Sequence, residues 1–129
     1  LNKNLFMLDA MPKVDLADWI KTCDLQVALF KGPRILWKDA VQNKFFDSVA
    51  AGKPIVCNFM GWQTKIAIKN EIGFYINTDK PMDSARTIFE YLNNKLWLRN
   101  VQSRSKKLSE HDFNRDKLVK KLINIVESI

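Results

Sequence analysis

Two kinds of hydrophobic pattern take turns along the chain: short unbroken apolar runs, and stretches where apolar residues recur every three or four positions. Leu5-Phe6-Met7-Leu8, Leu25 to Phe30, Ile55 to Asn58 and Phe74-Tyr75-Ile76 are runs of the first kind and read as four strands. Val14 to Thr22 is of the second kind, with Leu16, Trp19, Ile20 and Cys23 on its apolar face and Asp15 favouring its N-terminus. Asn43 to Ala51 follows, with Phe45, Phe46, Val49 and Ala50 facing a core. Gln63 to Asn70, closed near Gly73, and Ser84 to Asn93 are further helices, the latter through Ala85, Ile88, Phe89 and Leu92. Leu96 to Leu108 and Phe113 to Ser128 complete the helical set. Asp9 to Pro12 and Lys31 to Gln42 read as loops.

Apolar strands separated by helices imply parallel βαβ units with both sheet faces covered, and right-handed crossovers. The expected fold is therefore α/β, a three-layer parallel sheet with flanking helices. Four strands are few for such a sheet, and neither GxGxxG nor GxxxxGK[ST] occurs in the sequence. Residues 1–129 are expected to form a single, incomplete domain whose last part, about 95–129, is helical. A start at Leu1 rather than Met fits a piece of a longer polypeptide.

Composition narrows the function. No apolar run approaches the ~18 residues that span a bilayer, and Leu1-Asn2-Lys3-Asn4 does not open a secretory signal, so a cytoplasmic location is expected. Cys23 and Cys57 lie in apolar surroundings and read as buried reduced thiols; with His111 the one histidine and no CxxC, a zinc site lacks ligands, and no metal or cofactor is expected. The net charge is +7, and residues 95–129 hold nine Lys/Arg against four Asp/Glu. That surplus suits a solvated helix face, an anionic membrane surface or nucleic acid.

The chemistry centres on "NKFFDSVAAGKPIV", Asn43 to Val56. In an open parallel sheet ligands collect beyond the carboxyl ends of the strands. Asp9–Pro12, Phe30–Gly32 and Asn58–Trp62 are expected there, with the N-terminus of the short helix beside them. Asn43 is the expected N-cap, and the first amides of the helix suit a diphosphate, with Lys44 adding a point charge. Asp47 lies one turn further on the same side, where a carboxylate can accept from both hydroxyls of a ribose. A solvated Lys/Asp pair on an ordinary surface helix is the competing reading. Gly52 permits a left-handed helix end and Pro54 opens the strand. Phe46→Ala is expected to cost roughly 3–5 kcal/mol if the ring is buried.

"NKFFDSVAAGKPIVCNFMGW" resembles the nucleotide-sugar-binding signature of bacterial GT-B glycosyltransferases of family 4, nearest the subgroup that builds surface polysaccharides. "NLFMLDAMPKVDLADWIKTCDLQVALF" and "NEIGFYINTD" are similar to the segments that flank that signature, so the resemblance covers essentially the whole chain. It implies a Rossmann-like C-terminal donor domain of a two-domain, hexosyl-transferring enzyme of retaining type. The family's paired acids are spaced E-x7-E, and Asp39 and Asp47 stand at that spacing, each one methylene shorter than Glu. By resemblance Asp47 holds the ribose hydroxyls, and Asp39, the candidate catalytic residue, faces the transferred sugar or its phosphate; a plain loop role for Asp39 stays open. Gln42, Asn43 and Lys44 match the segment that meets the diphosphate, and Asp9, Ala10 and Met11 the loop beside the base.

The implied donor is a UDP- or GDP-linked sugar with no metal requirement, and the acceptor a polysaccharide or lipid-linked chain. The family's glycine-rich first phosphate loop and its N-terminal acceptor domain have no counterpart here, so the fragment alone is expected to be inactive. The missing domain and an anionic membrane at the inner face of the cell are the expected partners, and nucleic acid is not. Trp62 follows a strand edge and is a candidate stacking residue; Trp37 suits either stacking or a contact with the missing domain. Trp19 and Trp97 read as core, and His111 as a surface or capping residue. A basic nucleic-acid-binding module and a regulatory α/β domain without catalysis are the alternatives; the first lacks an aromatic platform and the second an acidic cluster after its first strand.

Overall fold

The computed structural model describes residues 3–129. In chain order it contains α1 (Lys13–Thr22), β1 (Gln26–Ala28), a 3-10 turn (Arg34–Leu36), α2 (Asn43–Ala51), β2 (Ile55–Cys57), α3 (Trp62–Lys69), β3 (Gly73–Tyr75), α4 (Pro81–Asn93), α5 (Lys95–His111) and α6 (Arg115–Glu127). The strands form one open parallel sheet in the order β1-β2-β3. Val27 aligns with Val56, and Val56 with Phe74. The α/β class and the parallel sheet expected from the sequence are present, with α2 and α3 as the crossovers.

β2 is central and buried along its length. Because strand side chains alternate between faces, Ile55 and Cys57 enter one apolar cluster and Val56 another. The first cluster joins them to Phe45 and Val49 of α2, Ala67 of α3, and Val101 and Leu108 of α5. In the second, Val56 lies with Phe74 and Ile76 beneath Ile88, Tyr91 and Trp97. There the Phe74 and Tyr91 rings stack with centroids 4.0 Å apart, and Trp97 lies 4.6 Å from Tyr91. Helices thus cover both faces of β2.

The turn from α2 into β2 shows why Ala-Ala-Gly-Lys-Pro sits there. Gly52 adopts φ 68°, the left-handed region that a side chain disfavours, and its amide donates to the end of α2. The buried Ser48 hydroxyl donates to Lys53 O at 2.8 Å while Lys53 N donates back to Ser48 O at 2.9 Å. Pro54 needs no donor, and its carbonyl accepts from Gln26 N at 2.9 Å, which starts the β1–β2 pairing.

Several expectations are corrected. Leu5–Leu8 forms no strand: all four side chains are exposed and, among the described residues, no strand lies on the outer side of β1. A run of four apolar residues has no helix/strand preference of its own, and a strand exists only where a neighbour takes its backbone groups. The α1 face is mostly open as well. Ile20 is buried, but Trp19 is 52% exposed, and Leu16 and Cys23 are exposed too. Cys23 and Cys57 are free thiols, and only Cys57 is buried. On α2 the fully buried ring is Phe45, whereas Phe46 is half-buried and Ala50 exposed. α4 starts three residues before the expected Ser84, with Pro81 in its first turn, a position where proline's missing N–H costs nothing.

Phe45→Ala, not Phe46→Ala, is therefore the more damaging change. Urea unfolding should show a loss of about 3–5 kcal/mol for Phe45→Ala and a clearly smaller loss for Phe46→Ala.

Candidate functional site

α2 enters from the loop after β1 and delivers the chain to the start of β2, so its N-terminus lies at the carboxyl edge of the sheet. Two side-chain amides fix the backbone there. Asn58, just past β2, accepts from Phe30 N at 2.7 Å and donates to Phe30 O at 3.2 Å. Gln63, fully buried in the first turn of α3, accepts from Gln42 N at 2.7 Å and donates to Gln42 O at 3.1 Å. The loop between them packs closely: Trp37 Nε1 donates to Gly32 O at 3.2 Å, and a Cβ on Gly61 would stand 2.4 Å from Trp37 O. Trp37 is packed against the main core cluster.

These bonds change the expected capping. Gln42, not Asn43, is the N-cap of α2, and no side chain caps the helix. The Gln42 amide is consumed by Gln63, which removes it from the expected diphosphate set. Among the described residues the amides of Asn43 and Lys44 donate to nothing, and both side chains are exposed. Two open N–H groups at the positive end of a helix dipole remain.

Asp47 is not the free carboxylate that the sequence suggests. Its Oδ1 lies 3.2 Å from Lys13 Nζ, and the side chain is 23% exposed, against 79% for Lys13. A pair this exposed on the lysine side contributes about 0–1 kcal/mol. Asp47 turns toward α1 and borders a cavity of about 290 Å³ between α1 and α2, whose walls include Leu16, Ala17, Ile20 and Ala51. Asp9, Ala10 and Met11 run directly into Pro12, the N-cap of α1, and Lys13, so this loop joins α1 next to the residue that meets Asp47. Asp9 and Ala10 are exposed and Met11 is half-buried.

Asp39 lies in a different place. It borders a cavity of about 380 Å³ with Lys38, Met60, Gly61, Trp62 and Lys65. Trp62 is thus beside Asp39, but its ring also packs 6.1 Å from Phe45 and 6.2 Å from Phe46, which gives it a structural task of its own. The two aspartates at E-x7-E spacing do not share a cavity. A third cavity, about 590 Å³, opens where β1, β2 and β3 end and includes Phe30, Lys31, Arg34, Asn58 and Tyr75 in its walls. Of the three segments expected at this edge, Phe30–Gly32 and Asn58 border the cavity, while Asp9–Pro12 and Phe59–Trp62 do not, nor do Asp39 and Asp47.

Burial pushes the Cys57 thiol above its ordinary range, with Thr64 pulling it partly back, so it stays protonated at neutral pH and is no nucleophile. Among the described residues no group of His, Cys, Asp or Glu is placed to hold a metal, and no helix is long and apolar enough to cross a membrane. Gln63 and Lys13 are the residues that sequence reasoning missed. Gln63 carried no motif, and no pattern in the sequence singles out Lys13. Compared with family models, curated proteins and solved structures, the chain matches none.

Gln63→Leu would leave the half-buried N–H and C=O of Gln42 without their partner. It should destabilise the protein by about 2 kcal/mol in denaturant titration, and exchange of the two bonded amides there, Gln42 to Gln63 and Phe45 to Gln42, should accelerate.

Proposed function

We propose that the chain binds a nucleoside-diphosphate sugar and is the donor-binding domain of a two-domain glycosyltransferase acting on a polysaccharide or lipid-linked acceptor. The observation that carries this reading is the conformation of Asn43–Ala51. Two open amides head the helix at the sheet's carboxyl edge, and a partly exposed carboxylate follows one turn later at a cavity mouth. The sequence of that helix and its exit turn resembles the family's donor signature, as set out above.

The diphosphate would lie on the Asn43 and Lys44 amides, which stabilise charge as it develops on the leaving group. The hydroxyls of the ribose diol would donate to the Asp47 carboxylate, and the Asp9–Met11 loop would flank the base. Asp39, outside that cavity, would act only from the sugar side, toward Trp62 and Lys65. The apolar side chains left in solvent at Leu5–Leu8, Trp19 and along α6 support a further domain of the same enzyme packing on this one. In this reading the enzyme is of the retaining type and works in the cytoplasm, where the basic helices α5 and α6 favour peripheral contact with an anionic membrane.

Thermal or chemical unfolding with UDP and with GDP tests the reading. One of them, at 100 times its dissociation constant, should add about 2.7 kcal/mol to the unfolding free energy. Asp47→Ala should abolish that gain, and single-stranded RNA should give none. A gain that survives Asp47→Ala removes the ribose role, and sugar transfer by this chain alone refutes the donor-half assignment.

A further inference from the structure

The Lys13–Asp47 pair stands where the proposed donor would bind, and it is a poor structural staple. The lysine comes from the first residue of α1, is largely in solvent, and its ammonium has no other ion-pair partner among the described residues. Behind the pair the α1–α2 cavity is walled by apolar side chains, so its charge is concentrated on these two groups and Lys21. Asn43 and Lys44 precede Asp47 by three to four residues, about 4.5–6 Å along the helix axis. A diphosphate on those amides would therefore sit one turn from a carboxylate that repels it. Some cation has to offset that repulsion, and Lys44 is exposed and makes no ion pair among the described residues. Lys13 is already at Asp47 and on a flexible four-carbon stem.

We propose that Lys13 is a diphosphate-binding residue. In the free protein it neutralises Asp47. When a nucleoside diphosphate enters, its ammonium moves to the phosphate oxygens and releases the carboxylate to the diol. The cation thus selects diphosphates over nucleosides and keeps the carboxylate ionised until a ligand replaces it. This assignment rests on the nucleotide reading of the same site.

Calorimetric titration of the 129-residue chain with UDP, GDP, uridine and guanosine provides the test, on the unaltered protein and on Lys13→Met, Lys13→Arg and Asp47→Ala. Lys13→Met should weaken the better nucleoside diphosphate about tenfold and leave the matching nucleoside unchanged or tighter. Lys13→Arg should recover most of the loss, and raised salt should shrink the difference between the unaltered protein and Lys13→Met. The exposed position means that Lys13→Met should unfold at the same denaturant concentration as the unaltered protein. Equal weakening of diphosphate and nucleoside, equal tightening of both, or an unchanged diphosphate affinity would each overturn the assignment. If the unaltered protein binds a diphosphate and Asp47→Ala abolishes binding while Lys13→Met does not weaken it, Lys13 alone is misassigned. If none of the four ligands binds the unaltered protein, the nucleotide reading and the Lys13 assignment fall together.

Discussion

Three-residue strands end before they can aim anything, so the geometry beyond the sheet depends on two side-chain amides. Asn58 and Gln63 each present an oxygen to a backbone N–H and a nitrogen to the same residue's C=O, as a neighbouring strand would. Asn58 thereby prolongs the grip on β1 as far as Phe30, and Gln63 anchors the residue from which α2 starts. A buried Gln with both amide ends satisfied gives direction where a hydrophobic contact would give only adhesion. Every feature of the candidate site inherits its position from these four bonds: the seat of Phe45, the opening of the first α2 amides, and the approach of Gly61 to Trp37.

The sequence was most legible where hydrophobic period and turn chemistry agree. α2 runs from Asn43 to Ala51 as its pattern predicts, because Phe45 and Val49 face the core and Gly52 alone fits the left-handed exit. The three strands that formed are those with a partner: β2 pairs with both others, and β1 and β3 each pair with β2. Leu5–Leu8 failed because strand formation is a property of pairs, and no pattern within four residues states whether a partner is present. Trp19 and Cys23 failed for a related reason: α1 meets α2 through Ile20 and the Lys13–Asp47 contact, and the rest of its apolar face has nothing opposite it.

The candidate site was legible in part. Spacing placed Asp47 one turn from the helix start, which is correct, but spacing cannot say which way a carboxylate turns. A lysine thirty-four positions earlier decides that. The pairing of Asp39 with Asp47 was a statement about sequence distance, and the intervening helix start sends the two to separate cavities. Gln63 was invisible because its task is to satisfy backbone groups, and that task leaves no periodic or chemical signature in a single sequence.

The helices that lead into strands add a last electrostatic step. α1, α2 and α3 each run toward the start of the following strand, so their N-termini point to the carboxyl edge, and none has a side-chain cap. Of the helices that lead into no strand, α4 is likewise without a side-chain cap, while α5 and α6 are capped by Asn94 and Asn114. Uncapped ends expose amide hydrogens and leave the positive pole of each dipole unneutralised. Lys13, Lys44 and Lys65 sit in the first turns of those same three helices. Backbone and side chain together therefore bring positive charge to this edge, with Lys44 and Lys65 adding to the helix ends while Lys13 is paired with Asp47. An anion arriving there would meet fixed donors first and mobile ammonium groups second. That is the order in which rigid recognition is set by the fold and selectivity is refined by residues that can move.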